Sequence, residues 1–180
     1  MVARLQSGDP SIYGAIQEQV AMLEEHGIEY EVIPGVSSLF AAAASLKAEL
    51  TVPNISQTVI ITRMEGRTSV PEKESLKNLA AHQATLAIFL SVSLIERVVE
   101  ELLDGGYPSE TPVAVVCRAS WNDETVIRST LKDIVKRVRT LGIKRQALIL
   151  VGDVLDPGRK GCRSRLYNRN FSHGYRQRKL

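Results

Sequence analysis

The run Thr85-Leu-Ala-Ile-Phe-Leu-Ser-Val92 is followed by a helical stretch at 94–103, a Gly105-Gly106 stop, and then Pro112-Val-Ala-Val-Val-Cys117. Two short runs, mostly apolar, flank one segment of helical period, so this part of the chain reads strand, helix, strand. Working outward toward the C-terminus, 125–129 has the composition of a short strand. A helix over 131–141 closes at Gly142, and 147–151 is a last strand. Working outward toward the N-terminus, a helix at 72–81 follows a polar loop at 63–71 containing Gly66, and 58–62 is a β-branched strand. Strands alternating with helices indicate an α/β protein.

Residues 50–54 read as a linker, and a first unit lies before it. Ser37 or Ser38 is placed to cap a helix running through an alanine-rich stretch to Leu46. Residues 28–33 alternate apolar and polar and read as a strand broken by Pro34-Gly35. Ile12, Ile16, Val20 and Leu23 recur at helical spacing, with Gly27 suited to the left-handed cap position. Residues 2–6 read as a further buried strand. Two strands in about 55 residues are too few to cover both faces of a parallel sheet, so this unit is expected to lean on the second one or on another subunit. The division expected is 1–55, 56–156 and a basic segment at 157–180.

Composition narrows the function classes. The chain has 180 residues, 44% hydrophobic and 24% charged, a balance ordinary for a soluble globular protein. It contains no apolar run long enough to span a membrane and no secretory signal pattern, so no membrane partner and a cytoplasmic setting are expected. Cys117 and Cys162 form no C-x-x-C pair, and His26, His82 and His173 lack metal-ligand spacing, so no metal site is expected. Residues 157–180 carry eight Lys or Arg and no acid. Taking these from the 23 Lys+Arg of the chain leaves 15 against 20 Asp+Glu in the remainder. A tail of this kind attracts polyanions or is simply solvated. Without regularly placed stacking aromatics it does not suggest nucleic acid as a partner.

The sequence carries no nucleophile elbow, H-E-x-x-H, phosphate-binding Walker loop or dinucleotide fingerprint. What remains are loops just past strand ends, at 7–10, 34–38, 91–93 and 118–121. Their small and polar residues let main chain approach a small polar ligand. On pattern alone, turns and helix caps are the favoured account of each loop.

Arg4-Leu-Gln-Ser-Gly-Asp-Pro-Ser-Ile-Tyr-Gly14 and Tyr30-Glu-Val-Ile-Pro-Gly-Val-Ser-Ser38 resemble the corresponding segments of the tetrapyrrole methylases. These enzymes use S-adenosylmethionine to methylate uroporphyrinogen and corrin precursors. TVIITRMEGRTSVP at 58–71, TLAIFLSV at 85–92, TPVAVVCRASWND at 111–123, and Leu166-Tyr167 with His173-Gly174-Tyr175-Arg176 extend the match along the chain. The EGRT and RASW segments point to a branch that methylates one ring carbon of a corrin precursor in cobalamin synthesis. The resemblance implies an α/β fold with part of an N-terminal parallel-sheet domain and a complete mixed-sheet C-terminal domain. The family's glycine-rich G-x-G-P-G-D-P loop would precede Met1, so a truncated form is expected. Asn122 stands where the family pattern leads one to expect proline.

By the same resemblance, Ser7, Gly8, Asp9, Ile12, Ser37, Ser38, Leu90 and Ala119 are the expected contacts of the methyl donor S-adenosylmethionine. Arg63, Arg67 and Arg118 are candidates to pair with carboxylates of a tetrapyrrole substrate, and Trp121 to stack on its ring. The catalytic residues stay unassigned, with Glu65 and Asp9 both open as a base. A sulfonium methyl is already activated, so the implied chemistry needs positioning and exclusion of water rather than a protein nucleophile. A homodimer is also implied. Two other readings stay open: a sister methylase acting at another ring carbon, and a non-catalytic remnant that folds and dimerises.

Overall fold

Five strands form one mixed sheet in a computed structural model that describes residues 1–156 together with Gly158 and Ser172. They are β1 (Val59–Arg63), β2 (Thr85–Phe89), β3 (Pro112–Cys117), β4 (Thr125–Thr130) and β5 (Ala147–Val151), in the spatial order β1-β2-β5-β3-β4. β1 and β2 are parallel. β5 enters antiparallel between β2 and β3, and β4 pairs antiparallel with β3. The last strand among the described residues is therefore the central strand of the sheet. Its apolar run, Leu148-Ile-Leu-Val151, is buried throughout, as expected of a strand covered on both faces. Cys162, the basic residues of 157–180 and the motif residues Leu166, Tyr167 and His173 to Arg176 lie outside the described residues.

Period-two alternation divides the strands between two cores. Leu86, Ile88, Val113, Val115, Ile149 and Val151 face one side. There they meet α3 (Leu76–Ala80), α4 (Ile95–Asp104) and α5 (Leu131–Thr140). Ile95, Val98, Val99 and Leu102 of α4, and Leu131, Ile134 and Val138 of α5, recur every three or four residues and supply that face. Ala87, Ala114, Val116, Leu148 and Leu150 face the other side. One short helix, α2 (Ser38–Leu46), covers them with Leu39, Ala42 and Leu46. The alanines of helix and sheet allow close approach, and Arg128 on β4 donates to the Leu46 carbonyl at the end of α2.

The first fifty residues depart from expectation. No strand forms at 2–6 or at 28–33. The apolar positions of these segments are open to solvent, with Leu5 at 90% and Ile33 at 67% exposure. Alternation specifies which side chains face inward, but a strand also needs a neighbour to take its N–H and C=O groups. Neither segment has one among the described residues. The helix expected from Ile12 begins later, as α1 (Gln17–Glu25). Gly27 ends it with φ 62, as its position suggests. Ile16, Val20 and Leu23 share a face that is only half-buried, and no residue of α1 is fully buried. The helix expected at 72–81 splits into a 3₁₀ turn at Glu72–Glu74 followed by α3. The strand expected to reach Val92 ends at Phe89, because Leu90 turns to φ 55.

Candidate functional site

A cleft of about 840 Å3 opens where the carboxyl ends of β2 and β3 meet the start of β5. Antiparallel insertion of β5 brings Gln146 and Ala147 to the same sheet edge as Phe89 and Arg118. The Arg118 N–H donates to the Gln146 carbonyl at 2.8 Å and closes that edge. The start of α2 and the loop at 7–13 form the opposite wall. The lining contains Ser7, Gly8, Ile12, Ser38, Leu90, Ala119, Arg118 and Trp121, eight of the twelve residues singled out in the sequence. A second hollow of about 70 Å3 shares Ser7, Gly8, Ile12, Tyr13, Ser38 and Phe89 with it, and adds Asp9 and Ser37.

The loop wall is held by its own main chain and by one carboxylate. Asp9 Oδ1 accepts from the Ser11 N–H at 2.9 Å and from the Ser11 hydroxyl, while Oδ2 accepts from the Gly35 N–H at 2.9 Å. These bonds hold its carboxyl below the usual 3.8, the Ser11 hydroxyl contributing most and the Gly35 and Ser11 amides next. Both oxygens are thus engaged: Oδ1 folds the loop at 7–11 onto itself, and Oδ2 ties it to the turn at 34–37. That junction is tight: a Cβ on Gly35 would stand 2.5 Å from the Gly8 carbonyl oxygen. Gly8 itself takes φ 145, a conformation that suits glycine and lets the backbone face the cleft. Ser37 is the buried N-cap of α2, its hydroxyl accepting from the Leu39 N–H at 3.3 Å, so it shapes the wall while Ser38 faces the cleft.

The sheet-edge wall carries backbone strain. Leu90 (φ 55), Arg118 (φ 52), Ser120 (φ 71) and Gln146 (φ 55) all line the cleft in the left-handed region. Such conformations cost of order 1–3 kcal/mol each and persist where the surroundings over-determine them. Leu90 keeps 72% of its surface exposed at the rim. Arg118 pairs with Asp123, donates from Nε to Gln146 Oε1 at 3.1 Å, and lies 5.6 Å from the Trp121 ring centroid.

Arg63, Arg67 and Glu65 do not line either hollow. Arg63 instead donates to the carbonyls of Met64 (3.4 Å), Thr68 (3.2 Å) and Ser69 (2.7 Å), which organises the loop at 64–69. Arg67 and Glu65 are exposed on that loop. Ser91, in another loop marked by the sequence, is fully buried. Its hydroxyl donates to the Phe89 carbonyl and accepts from the Met64 N–H, so it fastens the ends of β1 and β2 together.

Sequence reasoning missed four lining residues that extend the site. Tyr13 packs on Phe89 with ring centroids 5.4 Å apart, and burial pushes its phenol up despite the opposing pull of Arg63. Lys144 and Arg145 give the cleft two more cations beside Arg118. Their signal was hidden because they precede a strand that looks terminal in the sequence but is central in the sheet. Burial also pushes the Cys117 thiol up, which keeps it protonated at neutral pH and unsuited to nucleophilic work. Among the described residues there is no cluster of His, Cys, Asp or Glu fit to hold a metal ion.

The model of the tetrapyrrole (corrin/porphyrin) methylases matches residues 1–135. A cobalt-precorrin-4 C(11)-methyltransferase from Methanocaldococcus jannaschii is 62% identical over 176 residues, covering 98% of this chain and 68% of that protein. The crystal structure of a cobalamin biosynthetic enzyme, cobalt precorrin-4 methyltransferase, superposes with a TM-score of 0.85 at 52% identity, covering 87% of this chain and 66% of the other. Uroporphyrin-III C-methyltransferase from Thermus thermophilus, solved in complex with S-adenyl homocysteine, superposes with a TM-score of 0.68 at 27% identity, over 82% of this chain and 64% of that one. The chain therefore spans about two thirds of the length of the relatives it matches.

Proposed function

This chain belongs to the tetrapyrrole methylases, and from that premise we propose that it serves methyl transfer from S-adenosylmethionine to ring carbon 11 of precorrin-4, or of its cobalt form, in cobalamin synthesis. The observation that carries this reading is the 62% identity to a protein of that activity across 98% of the chain, including every loop of the cleft. The residues present suit such a donor. A cleft of about 840 Å3 falls in the range of small-molecule and cofactor sites. Its walls combine small residues at Gly8 and Ala119, the polar Ser7 and Ser38, and apolar Ile12, Leu90 and Val92.

When bound, the sulfonium supplies an activated methyl group. The protein's part is to hold donor and acceptor in line and keep water out. Ser7, Gly8, Ile12 and Ser38 are assigned to one side of the donor, and Leu90 and Ala119 to the other. Asp9 and Ser37 are assigned to building the loop wall rather than to touching ligand. Arg118 is assigned to substrate carboxylates, together with Lys144 and Arg145, and Trp121 to the face of the ring. No Asp or Glu lines the larger cleft, and both oxygens of Asp9 are already bonded, which argues against Glu65 and Asp9 as the base.

Residues 1–55 correspond in this proposal to the donor-loop unit and 56–156 to the substrate-side unit. The protein is assigned to the cytoplasm; no described helix is long and apolar enough to cross a membrane. It is assigned a homodimeric state, which would cover apolar side chains such as Ile33 and Phe40 that stand exposed in the single chain.

Calorimetry with S-adenosylhomocysteine tests the donor assignment. A micromolar dissociation constant is expected, and no heat at millimolar ligand would overturn it. Incubating the protein with labelled S-adenosylmethionine and precorrin-4 or its cobalt form tests the transfer. A second reading, a chain that folds and associates without catalysis, is favoured by the exposed apolar surface of the first fifty residues. It predicts a dimer by light scattering together with silent calorimetry.

A further inference from the structure

Glu124 is the one side chain that hydrogen-bonds both walls of the cleft among the described residues, although it does not line the cleft itself. It follows the turn at 118–121, where Arg118 and Ser120 sit at φ 52 and φ 71. Two main-chain bonds close this turn, the Trp121 N–H donating to the Arg118 carbonyl at 3.0 Å and the Glu124 N–H to the Trp121 carbonyl at 3.1 Å, and the Arg118–Asp123 ion pair spans it without bonding Ser120 or α2. Strained backbone of this kind needs an external clamp to persist. Glu124 Oε2 supplies one by accepting from the Ser120 N–H at 2.7 Å. The same oxygen lies 2.8 Å from the Ser45 hydroxyl of α2, which is also within 3.0 Å of the Ala41 carbonyl. Ala41 and Ser38 on α2 line the cleft opposite Arg118, Ala119 and Trp121. One half-buried carboxylate oxygen thus joins the sheet-edge wall to the helix wall.

We propose that Glu124 is a positioning residue that sets the width of the ligand cleft, by holding the turn at 118–121 against Ser45 of α2. An anionic acceptor receiving two donors is among the stronger hydrogen-bond arrangements available, and it sits on a junction that carries no other side-chain bond between turn and helix among the described residues. The choice of ligand probe rests on the methyl-donor reading, but the positioning role does not.

The chain contains a single tryptophan, Trp121, which belongs to the clamped turn. Its emission therefore reports turn order without any ligand. In Glu124→Ala, acrylamide quenching of Trp121 should rise and S-adenosylhomocysteine affinity should fall roughly tenfold, with the urea midpoint close to wild type. Glu124→Gln keeps an acceptor oxygen in place and should restore affinity to within about threefold of wild type. Ser45→Ala, which removes only the helix arm, should fall between. Unchanged quenching and affinity in Glu124→Ala would overturn the proposal. So would a Gln variant as impaired as the Ala variant with an equally lowered urea midpoint, because that pattern marks a general folding defect. If wild-type protein fails to bind S-adenosylhomocysteine, the methyl-donor reading falls, and the Trp121 quenching of the Ala and Gln variants alone decides the role of Glu124.

Discussion

The two halves of the cleft are built on different foundations. The wall made by Leu90, Arg118 to Trp121 and Gln146 stands on a five-stranded sheet whose central strand is buried from Leu148 to Val151. The wall made by Ser7, Gly8 and Ile12 stands on a segment with no strand, whose helix α1 buries no residue fully, and it is completed by Ser38 at the start of the packed helix α2. Local hydrogen bonds hold this second wall together: Asp9 to Gly35, Ser37 to Leu39, and Glu124 to Ser45. The first wall inherits its position from packing, so it tolerates the strain of four left-handed residues. The second depends on a few polar contacts and one apolar helix face. A ligand site so divided should lose affinity through its loops and lose stability through its sheet, and substitutions can separate the two.

The largest effect should come from the sheet. Ile149 is fully buried on the central strand, and Ile149→Ala should cost about 2–5 kcal/mol in urea unfolding. Ile33→Ala, on a segment equally apolar in sequence, should stay within about 0.5 kcal/mol. Equal costs would show that the segment at 28–33 is packed after all. Next comes the loop junction. Gly35→Ala places a methyl 2.5 Å from the Gly8 carbonyl oxygen, so one strand of the junction must move, at about 1–3 kcal/mol. Because that segment contributes little to the core, the loss should appear as weakened S-adenosylhomocysteine binding in calorimetry with little shift of the urea midpoint.

The same contrast explains what the sequence made legible. In the region 58–151, strong apolar runs and amphipathic helices located all five strands to within a few residues, because each pattern is fulfilled by a neighbour inside the chain. The placement of β5 was not legible: nothing in Ala147–Val151 says that it inserts between β2 and β3, and the cationic pair Lys144 and Arg145 was overlooked with it. Residues 2–6 and 28–33 have strand composition but form no strand, since composition cannot supply a partner for their backbone groups. The cleft loops were located by resemblance more than by pattern, and eight of the twelve chosen residues share one cavity. Arg63, by contrast, has the charge to pair with a carboxylate, but its guanidinium is turned inward on carbonyls of its own loop.

A smaller effect separates strain from contact on the sheet-edge wall. Leu90→Gly relieves a left-handed leucine worth about 1–2 kcal/mol, against about 1 kcal/mol for the added freedom of glycine in the unfolded chain. Stability should therefore change by less than about 1 kcal/mol, while ligand affinity falls because the exposed side chain at the rim is gone. A large destabilisation would mean that Leu90 packs as core rather than as part of the cleft.

The smallest effect is the most local, and it probes the loop wall alone. The bonds from Ser11 and Gly35 favour the ionised form of Asp9, so its folded pKa lies below the 3.8 of an unbonded carboxyl. The contribution of this carboxylate to the junction is complete above about 4 and disappears as pH falls through the lowered folded value. Nuclear magnetic resonance should show the Gly35 amide and the Asp9 carboxyl carbon titrating together with a midpoint under 3.8, while amides of β5 stay unperturbed at that step. Asp9→Asn should abolish the Gly35 transition. A midpoint above 3.8, or a step shared by β5, would mean that Asp9 is not an isolated tie between two loops, and that the two walls are more strongly coupled than their separate hydrogen bonds imply.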